Sequence, residues 1–369
     1  MNSFPEAKNR GLVRGCCAML AAWAVSSGAL ATTAKDANAF QDTLDVPAIA
    51  QSKLAERSLI GIARAGDRLV AVGLRGLIMY TDDQGATWKQ ANVPVQSDLL
   101  AVQFADPHQG WAVGHDGVIL HSADAGQTWT KQMDGRTAQA QARDYYEPLA
   151  NGGDEAAAQA LGVIDANYRS GPALPYLDVW FSDVAHGYVV GAFGNIMATH
   201  DGGKTWEPWL LHIDNPDGLH LNSIRGINGR IYIAAEQGNV FRLEPGSQRF
   251  ERIATGYTGS FFGIAGNARM LLAYGLRGTL YRSQDNGSTW APVKSPSQAT
   301  ITAGTALPAA GFVLVNSAGQ LLLGDDNADS FRMVSLDRYM RLTSVIPLHG
   351  SAVALTGLSG VIEQRLPSQ

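Results

Sequence analysis

Four eight-residue segments of this chain repeat one pattern, S/T-x-D-x-G-x-T-W: Thr81–Trp88, Ser122–Trp129, Thr199–Trp206 and Ser283–Trp290. Each pattern, an Asp box, is built for a local turn. The aspartates Asp83, Asp124, Asp201 and Asp285 can accept hydrogen bonds from turn amides. The glycines Gly85, Gly126, Gly203 and Gly287 supply backbone angles that side chains disfavour. The threonines Thr87, Thr128, Thr205 and Thr289 tie the loop back, and the tryptophans Trp88, Trp129, Trp206 and Trp290 each carry a large apolar surface to plug between neighbouring sheets. Four copies of one turn in one chain mean a repeated architecture, in which each unit buries its apolar face against the next.

The boxes undercount the repeat. Trp88 and Trp129 are 41 residues apart, but the next gaps are 77 and 84. A second pattern fills them, a short glycine turn between two apolar runs that ends at Gly76, Gly117, Gly194, Gly238, Gly278, Gly319 and Gly360. Repeats four, six and seven are therefore expected to keep the turn and to lack the box. Within one repeat, Leu59–Arg64, Arg68–Val72, Leu77–Thr81 and Trp88–Ala91 read as four short strands, the signature of a β-propeller blade. The expected fold is all-β, a seven-bladed β-propeller of four-stranded antiparallel blades. Its seventh repeat, Leu342 to Leu366, holds three strands, so the stretch at about 40–57 is expected to supply the outer strand of that blade and close the ring. Composition agrees. With 41 glycines, 46% apolar and 17% charged residues, the chain is neither disordered nor a helical bundle.

The N-terminal segment stands apart. Lys8, Arg10 and Arg14 precede an apolar run from Cys16 to Ala31 that ends in small residues, which reads as a secretory signal peptide over 1–31. The run is too short for a membrane span, so no integral span is expected after cleavage and the exported, periplasmic domain covers 32–369. Both cysteines, Cys16 and Cys17, leave with the signal, and stability must then come from packing rather than disulfides. A net charge of −5 argues against nucleic acid as a partner, because a phosphate-backbone binder needs a basic face.

Strand parity separates two faces. The glycine turns and the blade-to-blade connections share one face, and the Asp boxes lie on the other as scaffold. The residue before the last glycine of each turn reads Arg75, Asp116, Phe193, Gln237, Arg277, Ala318 and Ser359. The same face carries one long insertion, 136–174, between blades two and three. It is alanine-rich over Asp154–Asn167, where a short helix is expected, and is flanked by Arg143, Tyr145, Tyr146, Tyr168 and Arg169. Tyr and Arg are the residue types that anchor interfaces, so these residues, with Arg75, Arg277, Gln237, Asp116 and Phe193, form the expected partner-binding set. The insertion would then act as a partner-binding lid. The eight histidines show no ligand spacing, so no metal and no cofactor is expected, and no nucleophile elbow marks a catalytic residue.

Blades two and three share a longer phrase, F-x-D-x-x-x-G-W/Y-x-V-G, at Phe104–Gly114 and Phe181–Gly191. Followed each time by a glycine turn, an apolar strand and an Asp box, this resembles the photosystem II assembly and stability factor family of exported Asp-box propellers. The resemblance runs from about Leu59 to Leu366. It implies a non-enzymatic assembly factor that holds a membrane-protein complex, or its periplasmic segment, through an arginine-lined patch, with Arg75 and Arg277 at matching positions. The alanine-rich composition and plain signal suggest a bacterium, where an inner-membrane transporter is a candidate partner and the propeller is a monomer on its own. Sialidase-like glycosidases and glycan-binding modules also use Asp-box propellers. Blade one has Ile60-Gly61-Ile62-Ala63-Arg64 where a sialidase opens with its F-R-I-P motif, and the turns lack a third arginine.

Overall fold

Short β-branched and aliphatic runs punctuated by glycine turns give each repeat an up-and-down sheet whose second strand is buried almost throughout, because both faces of a blade pack on its neighbours. The computed structural model describes residues 41–308, 311–336 and 338–367. The expected signal peptide, 1–31, lies outside these. Blade 1 comprises β1 (Leu59–Ala65), β2 (Arg68–Gly73), β3 (Ile78–Thr81) and β4 (Lys89–Gln90), and blade 2 comprises β5 (Leu99–Phe104), β6 (Gly110–Gly114), β7 (Ile119–Ser122) and β8 (Thr130–Met133). Two helices follow, α1 (Gly135–Asn151) and α2 (Glu155–Asn167). Blade 3 is β9 (Tyr176–Phe181), β10 (Gly187–Gly191), β11 (Ile196–Thr199) and β12 (Glu207–Pro208), and blade 4 is β13 (Leu221–Ile227), β14 (Arg230–Ala235), β15 (Asn239–Leu243) and β16 (Glu251–Ala254). Blade 5 holds β17 (Phe261–Gly266), β18 (Leu271–Gly275), β19 (Leu280–Ser283) and β20 (Ala291–Pro292), and blade 6 holds β21 (Ile301–Ala306), β22 (Phe312–Asn316), β23 (Leu321–Gly324) and β24 (Phe331–Val334). Blade 7 has β25 (Leu342–Pro347), β26 (Ala352–Gly357) and β27 (Gly360–Arg365).

The seven-bladed propeller is borne out. Every sheet runs in sequence order and every pairing within it is antiparallel. The first strands of successive blades are neighbours around the axis, and β1 meets β25 to complete the circle. One apolar cluster fills each junction between blades. Trp129 lies in the cluster between blades 1 and 2, Trp206 in that between 2 and 3, and Trp88 and Trp290 pack against the 7/1 and 4/5 clusters. The tryptophans therefore plug inter-blade gaps, as their place in the repeat requires.

The glycine turns repeat for a steric reason. A Cβ on Gly73 would meet the carbonyl oxygen of Ser58 at 2.2 Å, and one on Gly76, where φ is +70°, would meet that of Val95 at 2.0 Å. No side chain fits so close to backbone.

Three expectations need correction. The segment around 40–57 does not supply the outer strand of blade 7, which has three strands among the described residues. Its polar backbone is spent on blade 1 instead. Ala48 N–H donates to Val93 O (3.0 Å) and Gln96 N–H to Thr43 O (2.7 Å), while Leu44 is buried in the 1/2 junction. Side chains close the ring: Leu59, Ile62 and Met79 pack on Leu348, Ala352 and Ala354, and Thr343 Oγ1 donates to Leu59 O (2.8 Å). Secondly, the insertion carries two helices rather than one short one. Asp134 caps α1 through the amides of Arg136 and Thr137, with Thr137 Oγ1 accepting in return from the Asp134 amide, the reciprocal arrangement of a capping box. Thirdly, blade 6 retains an Asp box in altered form. Asp325 accepts from the amides of Asp329 (2.9 Å) and Ser330 (3.1 Å) and from Ser330 Oγ (2.8 Å), and Phe331 stands where the tryptophan would be.

Candidate functional site

The Asp-box carboxylates are occupied by their own turns. Asp83 Oδ1 accepts from Thr81 Oγ1 (2.6 Å) and Thr87 N–H (2.8 Å), while Oδ2 accepts from Thr87 Oγ1 (2.5 Å). Asp124, Asp201 and Asp285 repeat this set with Ser122 and Thr128, Thr199 and Thr205, and Ser283 and Thr289. Hydrogen bonds to the charged form favour it. Those from Thr81 and then Thr87 hold the Asp83 carboxyl at about 2. At Asp285 partial burial opposes, and the bonds from Thr289 and Ser283 outweigh it, again giving about 2.

Left-handed backbone occurs in the boxes, at Gln84, Ala125 and Asn286, and recurs on the opposite face. Arg75, Asp116, Phe193, Gln237 and Arg277 all sit in the left-handed region, with φ between 53° and 58°. Non-glycine residues are uncommon there, and bulky ones such as phenylalanine are outliers. The three-residue turn imposes the angle because the glycine after each of them is pressed against the neighbouring segment. Its result is to aim these side chains away from the ring. Arg75, Phe193, Gln237 and Arg277 are exposed, and Phe193 is 49% exposed despite its size. Neither the Arg75 nor the Arg277 guanidinium makes an ion pair or hydrogen bond among the described residues, whereas Asp116 is partly engaged, accepting from Ser97 Oγ at 2.7 Å.

Sequence reasoning missed a further cluster on this face. Arg338, Tyr339 and Arg341 lie on the connection from blade 6 to blade 7, all exposed, with Tyr339 at 73%. Arg338 reaches Ser359 O (2.9 Å), and Arg341 O accepts from Leu358 N–H in the blade 7 turn. Arginines therefore line the successive blades 5, 6, 7 and 1, with the exposed side chains of Leu74, Leu276 and Leu358 among them. The run of basic and aromatic residues at 338–341 was the available signal.

The structure divides the insertion residues into two sets. Tyr146 is fully buried, donating to Pro208 O (2.9 Å) and accepting from Leu210 N–H (3.1 Å), and burial raises its phenol well above the ordinary tyrosine range. Tyr168 is 6% exposed and its phenol is pushed up to about 12, chiefly by burial. Tyr145 donates to Glu207 (3.0 Å) and Arg143 pairs with Asp165. Tyr146 and Tyr168 are therefore corrected from contact residues to anchors, and Arg169 remains exposed. The helices are bolted to blade 3 through the Tyr146 hydroxyl and an apolar cluster with Leu210 and Leu211. That attachment corrects the expectation of a lid. Arg136 adds a clamp, gripping Asp45 through both terminal nitrogens (2.9 Å each) and Asp134 (2.7 Å).

The first strands enclose a central cavity of about 580 Å3. Its charged lining is one ion pair between blades 3 and 4: buried Asp178 accepts from Ile224 N–H (2.9 Å) and from Arg225 Nη1 (2.5 Å). Small residues such as Gly61, Ala101 and Ala303 make up much of the wall.

Comparison with known proteins puts names beside this geometry. Residues 23–147 and 170–325 match the family described as Photosynthesis system II assembly factor YCF48. Over 132 residues the chain is 30% identical to the photosystem II assembly lipoprotein Ycf48 of Synechococcus sp. (strain CC9902), covering 35% of this chain and 38% of that protein. Over 174 residues it is 28% identical to the photosystem II assembly protein Ycf48 of Thermosynechococcus vestitus, covering 44% and 48% respectively. The chain thus spans half or less of the length of these two relatives. A solved structure of YCF48 bound to D1 peptide superposes with a TM-score of 0.62 over 88% of this chain and 100% of that one, at 16% identity, a likeness of fold.

Proposed function

This chain belongs to the Photosynthesis system II assembly factor YCF48 family, and from that premise we propose that it is a non-enzymatic, exported assembly factor whose glycine-turn face holds a segment of a membrane-protein complex. One observation supports the reading: on one face Arg75 and Arg277 stand exposed with guanidinium groups that make no ion pair or hydrogen bond among the described residues, while the repeated aspartates of the other face are held by their own turns. Left-handed backbone also occurs in the boxes, at Gln84, Ala125 and Asn286, so what sets the turn face apart is the charge and size of the side chains it presents. A relative in this family is described bound to D1 peptide, which supports a peptide segment of a membrane protein as the ligand class here. The arginines of blades 5, 6, 7 and 1 suit an acidic or carboxylate-bearing segment, and the exposed leucines between them suit its apolar residues.

No helix among the described residues is long and apolar enough to cross a membrane. The reading therefore has the propeller reach its partner from outside the bilayer, with an inner-membrane complex such as a transporter as the candidate. Capture from detergent-solubilised membranes tests it. The wild-type protein is expected to retain one membrane complex, and Arg75→Glu with Arg277→Glu to lose most of it. Deletion of 136–174, replaced by a short linker, tests the helical insertion in parallel. Unchanged capture by both variants would overturn the face assignment, and turnover of a fluorogenic sialoside would overturn the non-enzymatic reading.

A further inference from the structure

Every blade carries the same irregularity at its inner edge. One extra residue, a β-bulge, interrupts the pairing of the first strand with the second in all seven sheets, and a bulge re-aims the side chain it carries. The seven bulged side chains line the central cavity. They stand at its glycine-turn end, because in blades 2, 3, 5, 6 and 7 the amide entering the turn donates to the carbonyl two residues before the bulge. In blade 5, Leu276 N–H meets Ser260 O (3.1 Å), and in blade 2, His115 N–H meets Asp98 O (2.9 Å).

At three blades the bulged residue serves the fold. Asn222 Nδ2 donates to Phe261 O (2.8 Å), Thr302 Oγ1 to Leu342 O (2.9 Å) and Thr343 Oγ1 to Leu59 O (2.8 Å), each bond reaching the first strand of the next blade. At the other four blades the residue is Ile60, Leu100, Leu177 or Phe262, whose side chains can make no such bond. None of these four packs in a junction cluster, and Phe262 is 37% exposed. Large apolar side chains thus gather at the cavity mouth with no place in the core, three from blades 1 to 3 and Phe262 across from them. Beneath this collar the wall is made of small residues such as Gly61, Ala101 and Ala303. Arg225, three residues past the bulge of β13 and paired with Asp178, sets a polar limit about 10 Å further down. That depth takes a side chain and not a folded element.

We infer that the collar is a socket for one large apolar side chain, aliphatic or aromatic, of the acidic segment proposed above, which lies along the arginines of blades 5, 6, 7 and 1. The inference rests on that reading of the turn face and names the feature its partner must add. Charge complementarity sets the flanks, since Arg277, Arg338, Arg341 and Arg75 are exposed on those blades. The collar sets the anchor, because an apolar side chain is the group that gains by covering Phe262. The chain does not supply this anchor itself. Outside the described residues and the expected signal, its one large apolar residue is Phe40. Phe40 is two residues from Asp42, which pairs with Arg136 (3.7 Å), and Leu44 O beyond it accepts from Lys131 on the outer strand of blade 2 (2.7 Å). Two residues reach about 7 Å, whereas β5 at the axis is three strand spacings, about 14 Å, from β8.

The test replaces Phe262 with the photo-crosslinker p-benzoylphenylalanine in the full-length protein and irradiates it with detergent-solubilised membranes. The expected product, mapped by mass spectrometry, joins position 262 to an aliphatic or aromatic residue of a membrane protein, flanked there by carboxylates. The same probe at Gln84, exposed in a box on the other face, should give no such product. Phe262→Ser and, on the opposite wall, Leu100→Ser should each weaken capture of that protein about tenfold while keeping the circular dichroism of the wild type. Capture lost by Arg75→Glu with Arg277→Glu yet undiminished in both serine variants would overturn the socket and leave the face reading in place. Absence of capture by the wild type would overturn both. A crosslink to a polar or cationic residue would also overturn the socket. So would a crosslink within this chain, in the monomer or in a sedimenting dimer, because the protein would then cover its own collar.

Discussion

On the Asp-box face the same residues recur and each aspartate is used at home, closing its turn on the amide of the threonine four residues on. On the glycine-turn face the backbone recurs just as faithfully, yet the side chain before the last glycine changes from arginine to aspartate to phenylalanine to glutamine. One face repeats its chemistry because folding consumes it. The other repeats its geometry alone, which leaves its side chains free to differ. Repetition of side chains here goes with a self-closed turn, and the varied residues of the other face are the ones proposed to meet a partner.

The sharpest way to break this comparison is to truncate one aromatic residue on each face. Trp129→Ala removes a 4% exposed side chain from the 1/2 junction and should cost about 3–5 kcal/mol in urea unfolding. Phe193→Ala on the turn face should cost far less, since half of that ring already faces water. Equal losses would mean that the turn face is as much a part of the core as the box face.

Asp124→Ala strips the donors of Ser122 and Thr128 of their common acceptor and should cost about 1–3 kcal/mol. Tyr146→Phe, which deletes two buried hydrogen bonds holding α1 to blade 3, should cost about 1–2 kcal/mol, with hydrogen exchange rising in α1 and α2 before the blades.

Acid should act through the boxes. Their folded-state carboxyl values are depressed, to about 2 at Asp83 and Asp285, by hydrogen bonds from Thr81 and Thr87 and, against partial burial, from Thr289 and Ser283. A depressed carboxyl stabilises the fold above its unfolded value of about 4, and that contribution is lost as pH falls toward 2. Thermal melts should thus show a steep fall between pH 4 and pH 2, and Asp83→Asn with Asp285→Asn should flatten it. A melting temperature in the wild type independent of pH over this range would contradict the assignment.

The smallest effect has the opposite sign. Arg75→Gly and Arg277→Gly relieve left-handed strain and should leave stability unchanged or raised by up to about 1 kcal/mol while lowering capture of the membrane partner. A clear loss of stability would show that these arginines serve the fold after all.

Much of this molecule could be read from local patterns. The Asp boxes, the glycine turns and the seven-fold count depend on contacts within a few residues, so they leave a trace in every repeat. The box at Asp325 is hidden in the sequence because one extra residue separates its aspartate from Ser330, Leu323 replaces the hydroxyl residue and Phe331 replaces the tryptophan, although the aspartate still accepts from turn amides and a hydroxyl. Helix α1 was signalled by Asp134 and Thr137 but obscured by its polar sequence and by Pro148. Among the proposed contact residues, the exposure of Arg75 and Arg277 follows from their place in the turn. Tyr146 and Tyr168 looked like contact residues because residue type says nothing of burial.

What the sequence determined by itself was the blade and its number, because a hairpin and a capped turn are closed by neighbours in the chain. Tertiary structure alone decided how the ring closes. Whether residues 43–51 lie on blade 1 or blade 7, whether β27 finds a fourth strand, and whether Arg338 and Arg341 fall on the arc between Arg277 and Arg75 all depend on pairings between distant parts of the chain, such as Leu59 with Thr343 and Ser58 with Leu358. A repeated sequence offers nearly equal partners for such contacts. The choice among them is made by packing and by the competition for backbone hydrogen bonds, which exists only once the blades have assembled.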